Sequence, residues 1–122
     1  MSKITRLDAI ALIDQYDERV KKRLPMSKTR DWAIGKVREV VGEGKGPMSP
    51  EAINYVRLVK HYFADINSKI GFATVHDLFT GAVHQLYYPI CNGDVQKAIK
   101  RSRVLYDKND RRIGLVLREE AA

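Results

Sequence analysis

Residues 92–118, NGDVQKAIKRSRVLYDKNDRRIGLVLR, decide how this chain is read. Asn92 or Asp94 can cap a helix. From Val95 onward, a turn of ~100° per residue gathers Val95, Ala98, Ile99 and Ser102 on one side. Gln96, Lys97, Lys100 and Arg101 fall on the other, with Arg103 closing the basic run. One side is fit to pack. The other presents cations and an amide, groups that reach phosphates and base edges. A basic face that simply stays hydrated is the alternative.

Val104-Leu105-Tyr106 and Ile113-Gly114-Leu115-Val116-Leu117 are β-prone runs, separated by Asp107-Lys108-Asn109-Asp110-Arg111-Arg112, which is turn chemistry. The pattern predicts a hairpin with Lys108, Arg111 and Arg112 held in solvent at its tip. Cations there also protect an exposed strand edge from pairing. Residues 93–112 hold seven Lys or Arg and three Asp, whereas 48–92 hold three basic and three acidic residues. The charge is concentrated in one place.

Upstream, Thr74 begins T-V-H-D, a cap with an acid three residues on, and predicts a helix through Leu78, Phe79, Ala82, Val83, Leu86 and Tyr87 that stops at Tyr88-Pro89. Phe72 and Ala73 precede it, enough for a minimal strand. Ser49-Pro50-Glu51 is a strong helix start, with a capping hydroxyl, proline at the first position and an acid at the positive end of the dipole. Ile53, Val56, Val59, Phe63, Ile66 and Ile70 give the cleanest helical period in the chain, widened by Tyr55, Leu58 and Tyr62 and closed by Gly71. A face this wide suits either the central helix of the fold or the seam of a homodimer.

Gly42-Glu43-Gly44-Lys45-Gly46-Pro47 cannot continue a helix. It lacks the spacing of a phosphate-binding loop and reads as a linker. Before it, Ser27 or Thr29 can cap a helix carrying Trp32, Val37, Val40 and Val41, with Lys28, Arg30, Lys36 and Arg38 elsewhere on its surface. Thr5 can cap the first helix, whose stripe Ile10, Ile13, Tyr16, Val20 and Leu24 ends at Pro25. The expected organisation is a single domain, with a helical pair at 1–41, a Gly/Pro linker at 42–49 and a winged-helix-like unit at 50–118.

A chain of 122 residues suits one domain with its own core. Its formal net charge of +7 and pI near 9.6 favour polyanionic partners. One cysteine permits no internal disulfide. No apolar run approaches the ~18 residues of a membrane span, and acidic residues interrupt the N-terminal stretch where a secretion signal needs an apolar core. A cytoplasmic location and no membrane partner are expected. His76, His84 and Cys91 lack metal-ligand spacing, and no nucleophile or paired-carboxylate motif appears, so no metal, cofactor or enzymatic activity is expected. Cys91 stands just before a helix start, a position that lowers a thiol pKa.

The order helix, minimal strand, helix, basic helix, basic hairpin is that of a winged helix-turn-helix, whose third helix enters the major groove while the wing touches backbone or minor groove. Asp107-x-x-Asp110-Arg111-Arg112, followed by the strand ending Leu115-Val116-Leu117, also resembles the wing of MarR/SarA-type regulators. That resemblance implies a wing-ordering role for Asp110 and a DNA contact for Arg111 or Arg112. The expected fold is mainly α with a small C-terminal β-hairpin. The expected function is a double-stranded DNA-binding regulator of bacterial or phage type, using Gln96, Lys97, Lys100, Arg101, Arg103, Lys108, Arg111 and Arg112. A helical adaptor that docks on an acidic protein through exposed Tyr62, Phe63, Tyr87 and Tyr88 is the second reading, and RNA binding the third.

Overall fold

The computed structural model describes residues 4–25, 27–43, 46–66 and 71–109. Five helices follow one another: α1 (Arg6–Arg23), α2 (Lys28–Val41), α3 (Pro50–Asp65), α4 (Phe72–Tyr87) and α5 (Val95–Asn109). The starts of α1, α2 and α3 are set by local chemistry. Thr5, Ser27 and Ser49 each accept a hydrogen bond from the backbone N–H three residues on, at 3.1, 3.3 and 3.1 Å, satisfying one donor that a helix start leaves unpaired. Asp94 does the same for α5, accepting from the Lys97 N–H at 3.0 Å.

α4 is the axis of the molecule. It packs against each of the other four helices, and every residue from Val75 to Leu86 is buried except half-buried Asp77. Its sequence, FATVHDLFTGAVHQLY, carries one acid and no Lys or Arg, and a helix apolar on all sides belongs inside. The wide-faced α3 is instead one wall of the bundle: Tyr55, Val56, Leu58, Val59 and Tyr62 are buried, while Ile53, Arg57 and Lys60 face out. A single core draws side chains from all five helices. Among the described residues no helix is long and apolar enough to cross a membrane.

Two strand expectations are overturned. Phe72 and Ala73 open α4, because Gly71 at φ 105° turns the chain and its carbonyl accepts from Val75 N–H at 3.0 Å. Val104, Leu105 and Tyr106 continue α5. No Gly or Pro separates them from a helix already formed, and adding turns to a helix costs less than nucleating a new element. Among the described residues there is no strand, so the mainly-α-plus-hairpin, winged-helix description is corrected to an all-helical one. Asp110, Arg111, Arg112 and Ile113–Leu117 lie outside the described residues.

A buried helix must satisfy its polar side chains internally. The Thr80 hydroxyl donates to the His76 carbonyl at 2.9 Å. His76 is fully enclosed, shares a 2.9 Å hydrogen bond between Nδ1 and the Tyr16 hydroxyl, and stacks on Phe79 with ring centroids 5.5 Å apart. Burial, and then the Arg30 guanidinium, push its pKa down to about 3. The folded protein therefore prefers neutral His76. This contribution is complete above the ordinary value of 6.5 and is lost as pH falls toward 3. By pH 4 it should cost about 3 kcal/mol of stability. Denaturant titrations at pH 7 and pH 4 should show a smaller drop for His76→Phe than for the wild type, and equal drops would exclude His76 as a source of acid sensitivity.

Candidate nucleic-acid interface

α5 is placed by the loop before it. Asn92 at φ 48° and Gly93 at φ 79° turn the chain sharply after Pro89. A side chain at 93 would come within 3.2 Å of the Asn54 amide nitrogen of α3, a tight contact, and the positive φ itself favours glycine. From there Val95, Ala98, Ile99 and Ser102 turn inward and are buried, while Gln96, Lys97, Lys100 and Arg101 are exposed. The expected split between packing and basic faces is present.

Polar contacts at three residues, Ser102, Arg103 and Arg101, fix the rotation of α5. On the α3 side, the Tyr62 and Ser102 hydroxyls lie 3.2 Å apart in the core, and Ser102 also donates to the Ile99 carbonyl at 2.8 Å. At the rim of the same seam, the Arg103 guanidinium donates to Asp65 at 3.1 Å and to His61 Nε2 at 3.3 Å. On the α4 side, Arg101 Nε donates to the buried Gln85 carbonyl oxygen at 3.3 Å. Arg103 is thus turned to a carboxylate of its own chain, whereas Arg101 has a neutral partner. Lys97 and Lys100 make no ion pair among the described residues. Lys108 falls within the backbone of α5, and Arg111 and Arg112 lie beyond the described residues. Nothing in the sequence spacing announced that Asp65, His61, Tyr62 and Gln85 would meet α5, because each lies on another helix.

The cations of the first two helices are held differently. Arg38 bonds Asp14 at 2.6 Å and Asp17 at 3.3 Å, and Lys21 meets Asp17 at 3.1 Å. Arg30 pairs with Asp77 at 3.1 Å, and Lys36 with Glu39 at 2.9 Å. Arg6 is drawn to the carbonyls of Val41, Gly46 and Pro47 at 2.9, 3.2 and 3.0 Å, clamping the α2–α3 connection. The basic surface expected of Lys28, Arg30, Lys36 and Arg38 is therefore largely spent on internal acids, with Lys28 the exception among the described residues.

Other expected groups are dispersed. His76 faces Tyr16, while His84 sits against Trp32 and Tyr88, and among the described residues no three metal-ligating side chains cluster. Cys91 is buried, and loss of hydration pushes its thiol pKa up despite the opposing charges of Arg101 and Lys97. This reverses the lowered value expected from its place before α5. Of the four aromatics expected to be exposed, Tyr62 is fully buried, Phe63 and Tyr88 are half-buried and Tyr87 is exposed. No family model, curated protein or solved structure matches the chain.

The Tyr62–Ser102 contact makes a test of how α5 is held. Ser102→Ala strands a buried tyrosine hydroxyl and should destabilise the protein by about 1–3 kcal/mol. Adding Tyr62→Phe removes the stranded group and should recover part of that loss. Strictly additive losses in chemical denaturation would show that the two hydroxyls do not interact.

Proposed function

We propose that the chain is a non-enzymatic DNA-binding protein of the small transcription-regulator class, holding duplex DNA through the outer face of α5. The observation that carries this is the contrast in how cations are used. On α1 and α2, acids answer most of the basic side chains within hydrogen-bond distance. On α5, Lys97 and Lys100 stand exposed with no ion pair among the described residues, and Arg101 leans on the uncharged Gln85. Residues 95–106 contain four basic residues and no acid. Desolvating an ammonium group is costly unless an anion replaces the water, and closely spaced phosphates supply such anions with release of their counterions. Gln96 adds an amide able to pair with a base edge or a phosphate.

A protein partner is the second reading, favoured by Tyr87 and Ile90. They are 42% and 47% exposed at the end of α4, where Trp32 and the Lys36 ammonium lie against the Tyr87 ring at 5.9 and 4.4 Å. That site is away from the α5 cations in sequence and rests on aromatic area instead of charge.

Fluorescence anisotropy with a labelled duplex across a salt series tests the DNA reading. Lys97→Glu with Lys100→Glu should weaken binding and lower the log–log salt slope by about two units. Unchanged affinity in the double reversal would defeat the proposal. Competition by duplex RNA equal to that by duplex DNA would transfer the reading to RNA.

A further inference from the structure

The contacts that seat α5 also align it with α3. Asn54 meets Gly93 at one end of the seam, Tyr62 meets Ser102 further along, and Asp65 and His61 meet Arg103 at the other end. Residue numbers rise together, so the two helices run parallel. On α3, residues three and four apart share a face, which puts Arg57 in the row between Asn54 and His61. On α5 the same spacing puts Lys100 between Gln96 and Arg103. Arg57 and Lys100 therefore stand on the two rims of one seam.

Arg57 and Lys60 are exposed. Arg57 bonds the uncharged Asn54 at 3.4 Å, and Lys60 makes no ion pair among the described residues. Residues 54–64 of α3 contain no acid, as 95–106 of α5 contain none. Asp65, the acid at the end of the seam, is already engaged by Arg103. The rims are thus formed by Asn54, Arg57, His61, Gln96, Lys100 and Arg103, all able to donate hydrogen bonds, with Lys60 and Lys97 just outside them.

We infer that the DNA-contacting surface is this two-helix face, with Arg57 and Lys60 of α3 joining Lys97 and Lys100 of α5, and that it holds the phosphate backbone of a duplex laid along the α3–α5 seam. The inference rests on the DNA-binding reading above and goes further by assigning a second helix and a mode of recognition. A single inserted helix would place its neighbours away from the nucleic acid. Here the neighbouring helix carries the same unanswered charge along the same edge. Phosphate contacts fix position but carry no sequence information directly, so the footprint predicts affinity that depends little on base sequence.

Arg57→Gln with Lys60→Gln, and separately Lys97→Gln with Lys100→Gln, should each be titrated against two unrelated duplexes of equal length over a salt series. All four positions are exposed, and circular dichroism with thermal melting checks that the fold is kept. The α3 pair should lower affinity roughly tenfold or more at low salt, by the same factor on both duplexes, and reduce the log–log slope by about two units. If the α5 pair weakens binding and the α3 pair does not, the two-helix footprint is wrong and the α5 reading stands. If the α3 pair weakens only one duplex, backbone recognition is wrong. If neither pair has an effect, both proposals fall together.

Discussion

Enclosing α4 on nearly every side is the constraint on which the rest of the structure depends. A helix in that position cannot leave its polar side chains to water, and three of them recruit a partner from a different helix. His76 takes the Tyr16 hydroxyl of α1, Asp77 takes Arg30 of α2, and Gln85 takes Arg101 of α5. The apolar surface gathers the other helices without specifying their rotation, since hydrophobic burial is non-directional. Hydrogen bonds have direction, and these help set which face of α1, α2 and α5 looks inward. A buried polar group left unpaired costs roughly 1–3 kcal/mol, so a helix rotated out of place would lose its bond as well as its packing.

Much of the scaffold was legible in local sequence because its signals act over three or four residues. Thr5, Ser27 and Ser49 were readable as caps from the residue types around them, and each makes the expected bond. The inward face of α5 was readable from the spacing of Val95, Ala98, Ile99 and Ser102, all buried. The hairpin reading weighed Val104-Leu105-Tyr106 as a β-prone run, yet three residues of strand preference are a weak prior when tertiary context and an existing helix oppose it. The central place of α4 was missed for another reason. An apolar stripe shows only that one side is covered, whereas the absence of Lys and Arg anywhere on α4 is the mark of a helix surrounded on all sides.

The candidate interface was legible only by half. Lys97, Lys100 and Arg101 could be assigned to one face because they share a helix. The proposal that Arg57 and Lys60 share an edge with them depends on the pairing of α3 and α5, a long-range property set by Tyr62–Ser102 and by Arg103 with Asp65. Arg103 illustrates the same limit from the other side. Sequence alone groups it with the other cations, whereas tertiary structure gives it a carboxylate.

Internal pairing also shapes where the cations of this small domain stand free. Five of the nine basic residues on α1 and α2 are paired with acids, and at the exposed end of the scale such pairs add only about 0–1 kcal/mol each to stability. Their larger effect is on where the uncompensated charge lies. With Asp14, Asp17, Glu18, Glu39 and Asp77 set against cations of α1 and α2, the helix with the largest excess is α5, five basic residues against one acid, while α3 is balanced at two against two with Arg57 and Lys60 exposed. The Arg103–Asp65 bond joins α3 to α5 at the rim, while the buried Tyr62–Ser102 contact holds the helices together beneath it. The seam is therefore kept closed from below with exposed cations above it, and under the proposed reading a polyanion laid along it would meet a surface whose shape does not have to form on binding.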